Sequence, residues 1–171
     1  FGGATGEEIV TIIEDSLFIP VKITSLTQHA LPSGTSFSRE AWLETRVFNS
    51  ESHELLFSSG LIADSSDLNI NDENLLLFTS YLLDEHGNVT NSVSQTHDII
   101  EQMLPPSPPR YHTYKFIGDF NSVNQLEINI RMRFRAFKPH LLRDHHFALL
   151  QNLPVFEMAS IRDTVYIQST Q

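Results

Sequence analysis

The 171-residue chain contains no cysteine. That removes disulfides, Cys-based zinc sites, iron–sulfur clusters, a Cys nucleophile and covalently attached c-type haem from these residues. Basic residues are scarce: 11 Lys and Arg stand against 21 Asp and Glu, a formal net charge of −10. A surface of that sign repels phosphate backbones and anionic lipid heads, which makes nucleic acid and membrane surfaces poor partners. No run approaches the roughly 18 consecutive apolar residues of a spanning helix, so membrane insertion is not expected. There is no Gly-rich phosphate loop, and neither Ser58-Ser59-Gly60 nor Ser33-Gly34 matches the Gly-x-Ser-x-Gly nucleophile elbow. No acid/base pair stands out, and the chain reads as a non-enzyme.

What is present is a Phe-rich apolar stock, 12 Phe against one Trp, within a 40% hydrophobic composition. At this length roughly two-thirds of the extended surface can be buried, so one domain folds without staples. Period-two alternation dominates. In residues 17–23, Leu17, Ile19, Val21 and Ile23 share one side; in residues 41–47, Ala41, Leu43, Thr45 and Val47 do the same. The clearest run starts at Leu126. Its apolar residues take even positions through Ala136 and its polar residues take odd positions through Arg135, the pattern of a half-buried antiparallel strand. Residues 55–58, 75–83, 111–120 and 164–169 also read as strands. Residues 98–104 read as a short helix or one more edge strand, and residues 139–152 as helical turns.

Turn-forming clusters such as Pro32-Ser33-Gly34 and Glu85-His86-Gly87-Asn88 separate these runs. The expected fold is an all-β, antiparallel, Ig-like sandwich with one or two short helical turns. Residues 1–16 read as a lead segment and 17–171 as a single domain. Phe1-Gly2-Gly3 lacks the regions of a signal peptide, so the expectation is a processed chain or a piece of a larger one. Pro105-Pro106-Ser107-Pro108-Pro109 cannot supply ladder donors and reads as an extended surface crossover.

Four groups of residues are candidates for chemistry. His140, Asp144, His145 and His146 form the densest histidine cluster, a divalent-metal candidate or a polar loop capping the sheet. His29 precedes a turn that Pro32 and Gly34 shape, which can aim an imidazole at a metal or use it to pin the loop. Asp64, Asp67, Asp72 and Glu73 offer oxygen ligands without EF-hand spacing, a calcium candidate or a solvated acidic loop. Arg131, Arg133 and Arg135 line one face of a strand roughly 6–7 Å apart. They can dock an anionic partner, or pair across strands with the chain's own carboxylates.

His29-x-x-Pro32-x-Gly34, Arg39, Trp42-Leu43-Glu44, Ser59-Gly60, Asp84-x-x-Gly87, Phe134-Arg135-x-Phe137 and Leu153-Pro154-Val155 follow one another in order. This ordered set resembles the haem-free β-sandwich module of some bacterial multihaem c-type cytochromes, over residues 17–167. The resemblance implies a periplasmic or outer-surface location, a role beside electron-transfer centres, a multihaem cytochrome as protein partner, and His29 facing a haem. The chain departs from haem-bearing sequences in having no Cys-x-x-Cys-His. The haem c would therefore belong to a partner chain or adjacent segment. A free-standing cell-surface interaction or adhesion module is the alternative expectation, and a metal enzyme using the His cluster is a third.

Overall fold

The computed structural model describes residues 10–62, 66–120, 123–143 and 147–167. Among them the strands are β1 (Thr11–Ile13), β2 (Ser16–Ile23), β3 (Glu40–Asn49), β4 (Leu55–Ser59), β5 (Leu77–Phe78), β6 (Ser80–Leu83), β7 (Val89–Thr90), β8 (Asp98–Glu101), β9 (Arg110–Ile117), β10 (Gln125–Arg135) and β11 (Phe156–Tyr166). A 3-10 turn covers Val93–Gln95, and two short helices, α1 (Pro139–Arg143) and α2 (Phe147–Gln151), fill the expected helical stretch. Every strand pairing is antiparallel, in three sheets: β1-β2-β9, β11-β10-β3-β4 with β5 also on β3, and β7-β6-β8. The first two sheets face each other across a shared core, which is the all-β sandwich expected from the sequence.

Alternation places that core. Leu17, Ile19, Val21 and Ile23 of β2 meet Tyr114 and Phe116 of β9 on one side of it. Ala41, Leu43 and Val47 of β3 pack with Leu126, Ile128, Ile130 and Met132 of β10 on the other. Non-directional burial of these side chains contributes most of the favourable energy, on the order of 1.5–3 kcal/mol for each fully buried aliphatic. Pro20 is accommodated inside β2 because β1 pairs only with residues 16–18, which leaves the backbone edge at Pro20 without a ladder to serve.

Several elements differ from the sequence expectation. Residues 75–83 form two strands, because the chain passes at Thr79 from pairing with β3 to pairing with β8, and the Thr79 hydroxyl donates to the Arg39 carbonyl at 2.7 Å. β9 stops at Ile117, before Gly118. Of the two readings of residues 98–104, the edge strand is the one formed, as β8. β11 begins at Phe156, well before residue 164, and part of the 164–169 stretch lies outside the described residues. β1 draws residues 11–13 of the expected lead segment into a sheet. The proline-rich segment runs along the surface with Pro106, Ser107 and Pro108 exposed.

β3 is covered on both faces. Glu40, Trp42 and Glu44 point away from the sandwich core and are nevertheless buried. Residues 60–62 and 66–76 lie over them. The Trp42 indole N–H donates to the Gly60 carbonyl at 2.9 Å, and the Arg135 guanidinium donates to the Ser66 carbonyl at 2.7 Å. Gly60 has φ of 68°, and a Cβ there would sit 2.4 Å from the Leu43 carbonyl oxygen. The close approach of this segment to β3 therefore requires glycine.

Candidate functional site

The segment between β2 and β3 carries His29. It is tied down at residue 31, where Leu31 and Leu104 exchange backbone hydrogen bonds of 2.9 and 2.8 Å. The Arg39 guanidinium donates to the Ser33 carbonyl at 2.7 Å and packs against Gly34, whose φ is 73°. His29 itself is exposed. Its Nδ1 lies 3.1 Å from the Ala30 carbonyl oxygen, and the Thr27 hydroxyl donates to the His29 carbonyl at 2.7 Å. A carbonyl only accepts, so Nδ1 is the donor in this contact. Histidines that ligate metals commonly donate their other ring N–H to a backbone carbonyl in this way, which fixes tautomer and orientation. The loop thus holds one imidazole at the surface, tied through Nδ1.

The arginine row lies on the outer face of β10. Arg131 is hydrogen-bonded to Glu44 and lies 3.5 Å from Glu157; Arg133 lies 3.5 Å from Glu44 and 3.7 Å from Glu157. Arg46 joins the same carboxylate at 3.0 Å. Three guanidinium groups thus share two carboxylates, a local positive excess on an acidic chain. The Glu44 hydrogen bond raises the Arg131 pKa further, against some loss of hydration. Arg135 is 1% exposed, is hydrogen-bonded to Glu40, and stacks 5.4 Å from the Trp42 ring centre. The row is therefore paired across strands with the chain's own carboxylates. Arg131 retains partial exposure, whereas Arg135 is enclosed.

Next to Arg135 lies a second buried cation. Lys138 donates to the Ser80 carbonyl at 3.1 Å and sits 4.5 Å from the Tyr81 ring centre. Burial lowers the Lys138 pKa, and the nearby Glu40 charge opposes that shift. Burial pushes the Glu40 carboxyl above its ordinary value against the pull of Arg135 and Lys138.

His140 is the second residue of α1 and is exposed. Its backbone N–H donates to Asp67 at 3.2 Å, and Arg143 pairs with the same carboxylate. Burial works against ionisation of Asp67, but the Arg143 hydrogen bond and charge, with His140, outweigh it and hold the carboxyl below its usual range. Asp144, His145 and His146 lie outside the described residues, as does Asp64. Asp72 accepts from the Ser59 hydroxyl at 2.8 Å and the Gly60 N–H at 3.0 Å, so it fixes the start of the covering segment. Among the described residues no three His, Asp or Glu side chains converge as a metal site.

Sequence reasoning passed over His112. It lies on the core side of β9, edge-on to Tyr114 with ring centres 4.6 Å apart, and its buried Nε2 has no hydrogen-bond partner. Burial and the nearby Arg110 lower its pKa. The signal was available: His112, Tyr114 and Phe116 share one parity in β9.

The sequence matches no protein-family model and no curated protein. The fold, however, is similar to part of the crystal structure of a penta-haem cytochrome c552 from Thermochromatium tepidum, with a TM-score of 0.66 and 18% identity. The likeness covers 92% of this chain and 38% of that chain. At that identity the common property is the β-sandwich. The sandwich makes up well under two-thirds of the cytochrome polypeptide.

Proposed function

We propose that this chain is a non-catalytic β-sandwich module of a multihaem cytochrome assembly, located in the periplasm or at the cell surface. The observation that carries this reading is the fold likeness, in which nearly the whole chain corresponds to a minor part of a penta-haem cytochrome. Without cysteine these residues cannot attach haem c covalently, so the haem belongs to another segment or another chain. What this chain would offer such a group is the exposed His29 imidazole, with Nδ1 held by the Ala30 carbonyl. A bound haem would supply electron transfer. The chain's own residues would orient the ligand through the Arg39–Ser33 clamp and keep the loop ordered before contact.

Native purification tests the reading. A c-type haem segment or chain should accompany the module, visible as Soret absorbance in proportion to protein. In that assembly His29→Ala should shift the haem spectrum or reduction potential while circular dichroism stays unchanged. Colourless protein from the native source would remove the cytochrome assignment. An unchanged spectrum together with a lower melting temperature would reduce His29 to a loop-pinning role.

A further inference from the structure

We infer that residues 72–76 form an acid-sensitive latch, held shut by the neutral imidazole of His112 and released when that ring takes up a proton. The segment ties the two sheets of the sandwich together along one side. Asp72 accepts from the Ser59 hydroxyl at 2.8 Å and from the Gly60 N–H at 3.0 Å, where β4 ends. Two residues on, the Asn74 side chain accepts from the Lys115 N–H of β9 at 3.3 Å. The Leu43 N–H of β3 donates to the Leu76 carbonyl at 3.1 Å, and Leu76 is buried in the shared core. One short stretch therefore joins β3 and β4 of one sheet to β9 of the other.

His112 stands where the latch meets β9. Its half-buried ring is hydrogen-bonded to the Asn74 backbone and lies edge-on to Tyr114, with ring centres 4.6 Å apart. Its Nε2 is buried and has no partner. The groups around the ring offer an imidazolium no counter-charge. Arg110, on the same side of β9, is itself a cation and opposes a second one. Val21, opposite on β2, is apolar, and Thr45, which reaches the Tyr114 hydroxyl from β3, is neutral. On the latch, Asp72 is engaged by Ser59 and Gly60, and Glu73 is exposed. Only the Asn74 backbone favours the charged ring, and burial together with Arg110 outweighs it.

A charge on a buried nitrogen without a partner is costly, and the cost falls once water reaches the ring. Acid therefore draws the equilibrium towards the open latch. The folded pKa lies below the ordinary value of 6.5, so the hold is complete above that pH and is lost progressively below it. Trp42 reports the opening. It is the one tryptophan of the chain, is 0% exposed, and donates its indole N–H to the Gly60 carbonyl at 2.9 Å. Asp72 holds the N–H of that same glycine, so release of the latch frees Gly60 and brings water to the indole.

Tryptophan emission followed from about pH 7.5 to about pH 5 tests the inference, with circular dichroism and an NMR titration of His112 on the same samples. The expected result is a shift to longer wavelength whose midpoint matches the His112 titration and lies below 6.5, while the strand signal stays unchanged. His112→Gln and His112→Phe cannot take up the proton and should each abolish the shift. Asn74→Ala, which removes the acceptor for the Lys115 N–H, should move the emission to longer wavelength already at neutral pH. His140→Gln should leave the pH response intact, since His140 contacts the covering segment at Asp67 and not at the latch. Emission constant across the range overturns the inference, as does a shift that persists in His112→Gln. Loss of the response in His140→Gln, or loss of the strand signal together with the emission shift, overturns it equally.

Discussion

The two faces of β3 are built from different physics. Towards the sandwich core, Ala41, Leu43 and Val47 meet other aliphatics, and no pairing geometry has to be satisfied. On the opposite face, Glu40, Trp42 and Glu44 are equally hidden, but each depends on a directional partner: Arg135, the Gly60 carbonyl, and a group of three arginines. The inner face tolerates changes of shape as long as volume and apolarity are kept. The outer face tolerates little, because removing one member leaves another buried and unmatched.

The largest effect expected is on the inner face. Ile130→Asp introduces a carboxylate where Ile130 is 4% exposed, within the apolar core. The domain should fail to fold at neutral pH, read as loss of the strand signal in circular dichroism. A cooperative melt near the parent temperature would show that the inner face is not the core. Gly60→Ala should come close in severity, since the new methyl meets backbone at β3 and only main-chain displacement relieves it.

On the outer face, Arg135→Met strands the buried Glu40 carboxylate and should cost about 3–5 kcal/mol in denaturant unfolding. Adding Glu40→Leu to that variant should recover most of the loss, because two apolar side chains replace an ion pair. If the double variant were as unstable as the single one, the pair would not be the source of the outer face's sensitivity. Trp42→Phe removes the indole donor and leaves the Gly60 carbonyl short of a partner, about 1–3 kcal/mol.

The smallest effect separates the rim of this face from its centre. Asp67 has its folded pKa below its ordinary value, so its contribution is present above the unfolded value near 3.9 and is lost as pH falls through the folded one. Asp67→Asn should therefore reduce the drop in melting temperature between about pH 6 and about pH 3. The same drop in parent and variant would show that the Arg143 contact contributes nothing to acid stability.

How far the chain announced this arrangement varies by element. β10 was legible residue by residue, since alternation at positions 126–135 is a direct consequence of burying one face. β11 was not, because nearly all its positions are exposed and an edge strand held by its neighbour's ladder needs no alternating pattern of its own. The turn bearing His29 was readable from Pro32 and Gly34. The Ala30 contact that fixes the imidazole tautomer was not, because nothing in local composition selects a carbonyl for a ring nitrogen. For the arginine row, cross-strand pairing was one of the two alternatives visible in the sequence. Its partners Glu44, Glu157 and Glu40 emerge only from the registers of β3 and β11 against β10.

By itself the sequence determined an antiparallel sandwich, the inner face of its central strands, the turns between them and the exclusion of covalent haem from these residues. Those follow from period-two patterning, glycine and proline geometry and the absence of cysteine, all of which are local. Only the tertiary structure decided that Glu40, Glu44 and Arg135 are buried, and that β11 is left with an open edge among the described residues. Each of these depends on which segment lies across which face, and charged side chains are buried only when partners distant in sequence arrive to match them.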